Sequence, residues 1–268
     1  MANPVAFIFA HPDDETFLCS AFIRKLADEG NHPLLLLATK GDAGNKNGSY
    51  LHASREELAA VRVREMEEAA AILGLHSITH LGYPDGLLDT VNEPECVERI
   101  ADFLNLHKCP VVVTFPENGG NGHRDHMAIS KLTTMAVTSG RCPYVQRLYY
   151  IAASATPTAA PAPAAVPEAA SAVASAAAPE AASAATPAAA GQHAQPIGPQ
   201  LDTRPMWNIK AAALRAHNSQ ILAIKRYFGD LNECPEIRRF ETLQLVWERG
   251  STQPQSHVLW LTEGLEKE

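Results

Sequence analysis

Residues 5–15 read Val5-Ala6-Phe7-Ile8-Phe9-Ala10-His11-Pro12-Asp13-Asp14-Glu15, and the fold follows from this run. An apolar stretch rich in aromatic and β-branched residues stops abruptly at a histidine, a proline and a string of acids. A short, continuous apolar run without alternation predicts a strand buried on both faces, as in a parallel sheet covered by helices. The period then changes. Glu15–Glu29 has helical spacing, with Phe17, Phe22, Ile23 and Leu26 among its apolar positions, and Gly30 follows as its C-cap. Met1–Ala10 lacks the cationic start of a secretory signal, so it reads as this buried first strand rather than a leader.

Working outward, the same strand–helix rhythm repeats. Pro33–Thr39 is an apolar strand, and Ser54–Leu73 is a helix whose Ser54 and Glu57 have capping-box spacing, ending at Gly74. Ile78–Leu81, Val111–Phe115 and Tyr144–Ile151 read as further strands, and Glu95–Leu106 and His126–Thr138 as helices. Trp207–Tyr227 is expected as one helix and Arg239–Glu248 as a last strand. Strands alternating with helices predict an α/β fold: a Rossmann-like, open, mostly parallel sheet with helices on both faces.

Residues 152–190 break the rhythm. More than half of them are alanine, and Pro157, Pro161, Pro163, Pro167, Pro179 and Pro187 cut the stretch into pieces too short for a stable isolated helix. The expectation is a single domain, 1–151 with 201–268, carrying 152–200 as a flexible Ala/Pro-rich insertion. Lengthening a loop about sixfold costs only about 1.6 kcal/mol, so the insertion need not divide the domain.

The 268-residue chain has a formal charge of −8 with its basic residues scattered. That argues against a nucleic-acid surface, which needs clustered Lys and Arg. No apolar run approaches the length of a membrane span. The five cysteines are odd in number and form no C-x-x-C pair, which points to thiols in a reducing cytoplasm. The oligomeric state is left open, a homo-oligomer included.

Polar residues gather at two places. One is His11–Glu15, after the first strand; the other is Glu117–His126, after the fourth. With the common strand order 3-2-1-4-5, those two strands are neighbours at the point where the order reverses, and ligands bind there at the carboxyl edge. His11, Asp14 and His126 would then meet, and two imidazoles with one carboxylate are the donor set of a catalytic zinc site; ferrous iron accepts the same donors. A metal lowers the pKa of its water from 15.7 to about 7, an effect that no other visible feature rivals. The chain has no G-x-S-x-G elbow and no G-x-G-x-x-G turn after the first strand. Asp13 suits a general base that returns its proton to a leaving amine, and His123 an oxyanion stabiliser. Asp125 would orient one of the histidines. Gly119, Gly120 and Gly122 would let the second loop approach the site. The plainer alternative is that Asp13, Asp14 and Asp125 simply cap helix N-termini.

At these residues the sequence resembles the LmbE-like (PIG-L) family of metal-dependent N-acetylglucosaminyl deacetylases. The matching motifs are Ala10-His11-Pro12-Asp13-Asp14-Glu15 and Gly122-His123-Arg124-Asp125-His126. Supporting matches are Thr39-Lys40-Gly41-Asp42, Arg62-Val63-Arg64-Glu65, Leu81-Gly82-Tyr83-Pro84-Asp85-Gly86 and Ala216-His217-Asn218-Ser219-Gln220. The resemblance implies His11, Asp14 and His126 as metal ligands, Asp13 as base, and His123 as oxyanion stabiliser with Asp125 behind it. It further implies a substrate contact for Arg62; Asn121, a departure from the family pattern, is a second candidate contact. His217 is expected to be a structural hydrogen-bonding residue. The implied substrate is a small amino-sugar conjugate. Two alternatives remain at this stage: a metal-dependent amidase of a thiol–sugar conjugate, and a non-catalytic ligand-binding Rossmann domain.

Overall fold

A computed structural model describes residues 2–152, 198–251 and 260–265. The expected strand–helix alternation is present: β1 (Pro4–Phe9), α1 (Asp14–Asp28), β2 (His32–Thr39), α2 (Arg55–Leu73), β3 (Ser77–Tyr83), α3 (Glu93–Leu106), β4 (Val111–Thr114), α4 (Arg124–Thr138) and β5 (Arg147–Ala152). These are followed by β6 (Gln200–Asp202), α5 (Trp207–Ala216), α6 (Ile221–Phe228) and β7 (Phe240–Glu248). The sheet order is β3-β2-β1-β4-β5-β7-β6. Strands β1 to β5 are parallel, while β7 runs antiparallel to both β5 and β6. The fold is therefore an open, mixed, mostly parallel α/β sheet with the Rossmann-like order in its first five strands.

Each strand of the centre is buried on both faces, from Val5–Phe9 through Leu34–Leu37 to Val111–Val113. Helices α1 and α2 pack together, with α5 against both, and α3 packs on α4. This division follows from the order reversal: the right-handed crossovers before β3 and those after it run in opposite directions along the sheet and so cover opposite faces. The capping box at α2 is complete, with the Ser54 hydroxyl accepting from Glu57 N and the Glu57 carboxylate accepting from Ser54 N. Among the described residues, no helix is long and apolar enough to cross a membrane.

Three features differ from the sequence expectation. The helix expected over Trp207–Tyr227 is two helices, broken at His217–Gln220. The break has a tertiary cause: Ser219 donates both its N–H and its hydroxyl to Glu65, each at 2.6 Å. The Asn47 amide donates to the Ser219 carbonyl, so groups that would extend the helix are held elsewhere. Strand β6 was not anticipated, and it begins at Gln200, one residue before the expected resumption of the domain, paired with Thr242. Helix α4 starts at Arg124 rather than His126. The insertion expected over 152–200 falls almost wholly outside the described residues. Because β6 and β7 join the sheet of β1–β5, the segments on either side of it build one core.

Candidate active site and metal centre

Strand β1 ends at Phe9 and β4 at Thr114, side by side in the sheet. The segments that follow them, loop and first helical turn, carry His11–Asp14 and Asn118–His126, so neighbouring strands bring two remote stretches to one edge. The donor atoms of His11, Asp14 and His126 all lie within 4.8 Å of one another. His126 Nε2 is 3.3 Å from His11 Nδ1 and 3.3 Å from Asp14 Oδ1. All three side chains are buried.

Outer hydrogen bonds assign the tautomers. His126 Nδ1 lies 3.2 Å from the Gly119 carbonyl, an acceptor only, so Nδ1 carries the proton and Nε2 the lone pair. Gly119 can make this approach because its φ is +68° and because a Cβ there would lie 2.8 Å from the His126 Cβ. The Phe115 ring stacks on His126 at 4.0 Å and fixes its plane. His11 Nε2 lies 3.0 Å from Asp85 Oδ1 and 3.2 Å from Asp125 Oδ2, so Nε2–H donates to carboxylates and Nδ1 faces inward. Neutral His11 and His126 therefore aim two lone pairs at each other, beside the Asp14 carboxylate.

Such a place requires positive charge. Without an ion, the positive charge is a proton: burial alone would lower the His11 pKa, but its bonds to Asp125, Asp14 and Asp85 raise it well above 6.5. Burial would raise Asp14, but the His126 and His11 imidazoles hold it far below the usual carboxylate range. Burial would raise Asp85, but the His11 bond and charge, the Ala43 N–H and the Arg62 charge together hold it at about 2. Asp125 is also lowered, since its carboxylate accepts from His11 and from the N–H groups of Gly86 and Leu88. Two imidazoles and one carboxylate, with their outer nitrogens fixed by oxygen acceptors, match the donors and outer shell of a divalent-metal site.

Asp13 stands next to this trio in a left-handed conformation, φ 113° and ψ −28°. Its carbonyl opens α1 by accepting from Phe17 N, yet its side chain caps nothing. The carboxylate instead accepts from Arg62 Nη2 at 3.0 Å. Burial pushes its pKa up to about 6, against the opposing pull of the Arg62 charge. The capping alternative fails for Asp125 as well: its oxygens serve the 86–88 loop and His11, and the α4 cap is His123, whose Nδ1 accepts from Asp125 N at 3.2 Å. That bond leaves the His123 proton on Nε2. His123 has an exposed edge, and partial desolvation of its ring with the charges of the nearby His11 and His126 lowers its pKa.

Arg62 is buried, and its guanidinium donates to the Gly41 and Pro12 carbonyls and to the Asp13 carboxylate. Gly41, with φ +67°, makes room for it, since a Cβ there would lie 2.2 Å from Arg62 Nη1. The histidine that the Asp125 carboxylate bonds is His11, at 3.2 Å, while the Asp125 N–H meets the His123 ring. Asn121 is exposed, and its side chain accepts from His123 N at 3.0 Å, shaping the loop. Asp85 was missed as a site residue. Its signal was the turn Tyr83-Pro84-Asp85-Gly86 immediately after a strand, at the same carboxyl edge.

The chain is similar to known proteins in sequence and in fold. Residues 6–137 match the family described as "PIG-L: GlcNAc-PI de-N-acetylase". The chain is 29% identical, over 89% of its own length and 91% of the other's, to the 1D-myo-inositol 2-acetamido-2-deoxy-alpha-D-glucopyranoside deacetylase of Thermobifida fusca. It is 27% identical to the "Probable N-acetyl-alpha-D-glucosaminyl L-malate deacetylase 2" of Bacillus cereus, over 52% of this chain and 62% of that one. Its fold is similar to that of N,N'-diacetylchitobiose deacetylase from Pyrococcus horikoshii, with a TM-score of 0.59 and 19% identity, covering 91% of this chain and 84% of that one. On its motifs, the match over residues 6–137 and these relatives, the chain is similar to the LmbE-like (PIG-L) family.

Proposed function

We propose that this protein is a zinc-dependent N-deacetylase that hydrolyses the acetamide of an N-acetylglucosamine-containing conjugate. The observation that carries the reading is the pair of imidazole lone pairs converging beside Asp14. His11, Asp14 and His126 would hold the ion, zinc or ferrous iron. When bound, it would supply Lewis acidity and a water of lowered pKa. Asp85 and Asp125 hold His11 so that Nδ1 faces inward.

Asp13 is the general base. Its carboxylate is free of capping, and burial has raised its proton affinity toward the range where a base works near neutrality. It takes a proton from the attacking water and gives it to the departing nitrogen as the C–N bond breaks, leaving acetate and a free amine. Arg62 keeps the Asp13 carboxylate in place from below. His123, with its proton on Nε2, donates to the carbonyl oxygen as negative charge develops there. Asn121 holds the loop that presents His123 and lies at the exposed rim, where a sugar substituent could reach it. Five free thiols, four of them buried, suit a reducing compartment such as the cytoplasm.

The test is a panel of N-acetylglucosamine conjugates, including inositol and malate glycosides, assayed for acetate and free amine. The chain should be assayed as purified, after chelation, and after zinc or ferrous iron is restored. Release that disappears with chelator and returns with metal is expected. Cleavage of larger amides with no acetate release would favour the thiol–sugar amidase, and no turnover under any metal condition would sink the enzymatic reading.

A further inference from the structure

We propose that His217, acting through Glu15, is a positioning residue for Asp13. The inference rests on the reading of Asp13 as the base, but the contacts that carry it lie outside the metal trio.

Among the described residues, Asp13 is one of two non-glycine positions with positive φ. An L-residue holds such a backbone only where its surroundings enforce it. The enforcing contact is visible. Asp13 N–H cannot join the α1 ladder, and it donates instead to Glu15 Oε2 at 3.1 Å. Glu15 is wholly buried, and its other oxygen, Oε1, accepts from the Thr16 hydroxyl and lies 3.3 Å from His217 Nε2. Thr16 Oγ1 is also 3.1 Å from His217 Nε2. The one hydroxyl hydrogen of Thr16 is given to Glu15, so the proton between ring and oxygens belongs to His217 Nε2, which donates. A buried carboxylate is thus held by three donors, and one of them is the strained N–H of the catalytic base.

His217 comes from far along the chain and is 1% exposed. It stands at the break between α5 and α6, the turn anchored by Ser219 on Glu65 and by Asn47 on the Ser219 carbonyl. That turn is fixed to α2, the helix that also supplies Arg62 to Asp13. The C-terminal segment therefore grips the base from its backbone side through Glu15, while α2 grips its carboxylate. Loss of His217 frees Glu15 to turn, and Asp13 can then relax toward an ordinary helical N-terminus and swing its carboxylate off line.

The experiment uses the full-length, metal-loaded chain as wild type, His217→Ala, His217→Gln and Glu15→Gln. It reads metal content, kcat and KM on the conjugate that wild type turns over fastest, and hydrogen exchange of the assigned Asp13 amide by NMR. His217→Ala should keep its metal and a KM within about threefold while kcat falls about 10–100-fold, the usual scale for an outer-shell partner. Gln offers a donor at nearly the position of Nε2, so His217→Gln should recover most of kcat. The Asp13 amide should exchange faster in His217→Ala and return toward wild type in His217→Gln. Should His217→Ala fail to fold, the isosteric Glu15→Gln decides in its place, with the same fall in kcat at unchanged KM expected. Full kcat in His217→Ala, or in Glu15→Gln where His217→Ala does not fold, or a kcat loss that merely tracks lost metal, overturns the proposal. A wild type with no turnover on any conjugate sinks the deacetylase reading alone; unchanged Asp13 amide exchange in His217→Ala, or in Glu15→Gln where His217→Ala does not fold, then overturns the positioning role independently.

Discussion

Helix α1 borders two buried charge clusters, and they are built on opposite plans. Along its side, Lys210 and Glu241 form an ion pair at 2.7 Å, both almost wholly buried. Glu241 also accepts from the Ser20 hydroxyl and from Ala21 N, and Lys210 also donates to the Phe17 carbonyl. Each charge there faces its opposite and further hydrogen-bond partners from the protein. At the N-terminus of the same helix, His11, Asp14 and His126 direct their bonding capacity toward one another, while outer partners hold their far sides. The first cluster is closed and its work is structural. The second gathers donors that could hold a metal ion, which makes it the candidate place for chemistry.

The largest expected effect comes from breaking the open cluster at its centre. His11→Ala should lose bound metal and bring turnover down to that of the chelated protein, as read by elemental analysis and acetate release. Asp13→Asn comes next: it should keep the metal while turnover falls by about two to four orders of magnitude, the usual worth of a general base. The same variant tests the sign of a pKa shift. Burial raises Asp13 from 3.8 to about 6, so the folded chain holds this proton more tightly than the unfolded chain. Its contribution to metal-free stability is therefore present at low pH and lost as pH climbs through that window. Asp13→Asn, which carries no charge to desolvate, should thus be more stable than wild type at pH 7 by roughly 1–3 kcal/mol, measured by denaturant unfolding of the metal-free chains. An inactive variant that is also more stable would sharpen the contrast between a strained, functional acid and a satisfied, structural one.

In the closed cluster, Lys210→Met should leave turnover per folded molecule unchanged but cost about 3–5 kcal/mol, because it strands a buried carboxylate. A loss of kcat with full stability would erase the distinction between the clusters. The smallest effect is expected from Asp85→Ala, which leaves His11 with Asp125 alone on its outer nitrogen. Metal affinity, measured by competition with a chromogenic chelator, should fall about 10–100-fold.

Much of the molecule was legible in its residues. The apolar runs of β1, β2 and β4 and the capping box at Ser54 encode period and termination locally, and the Rossmann-like order then puts the β1 and β4 loops together. The His11–Glu15 and His123–His126 motifs were visible for the same reason. The helix break at His217 was not, because it depends on Glu65 and Asn47, which approach only after folding. Arg62 could not be told from a solvated helix charge, since its burial depends on the Gly41 loop closing over it.

Local periodicity and motif chemistry were thus enough to predict from the amino-acid order an α/β sheet and a set of candidate metal-site residues. Folding alone settled which carboxylate serves which imidazole. Asp125 reaches His11 across 114 positions and Glu15 meets His217 across 202, and such pairings depend on strand order and depth of burial rather than on neighbours in the chain. Charges so placed interact through a low-dielectric interior, where a difference of a few ångströms decides between a cap, a clamp and a base.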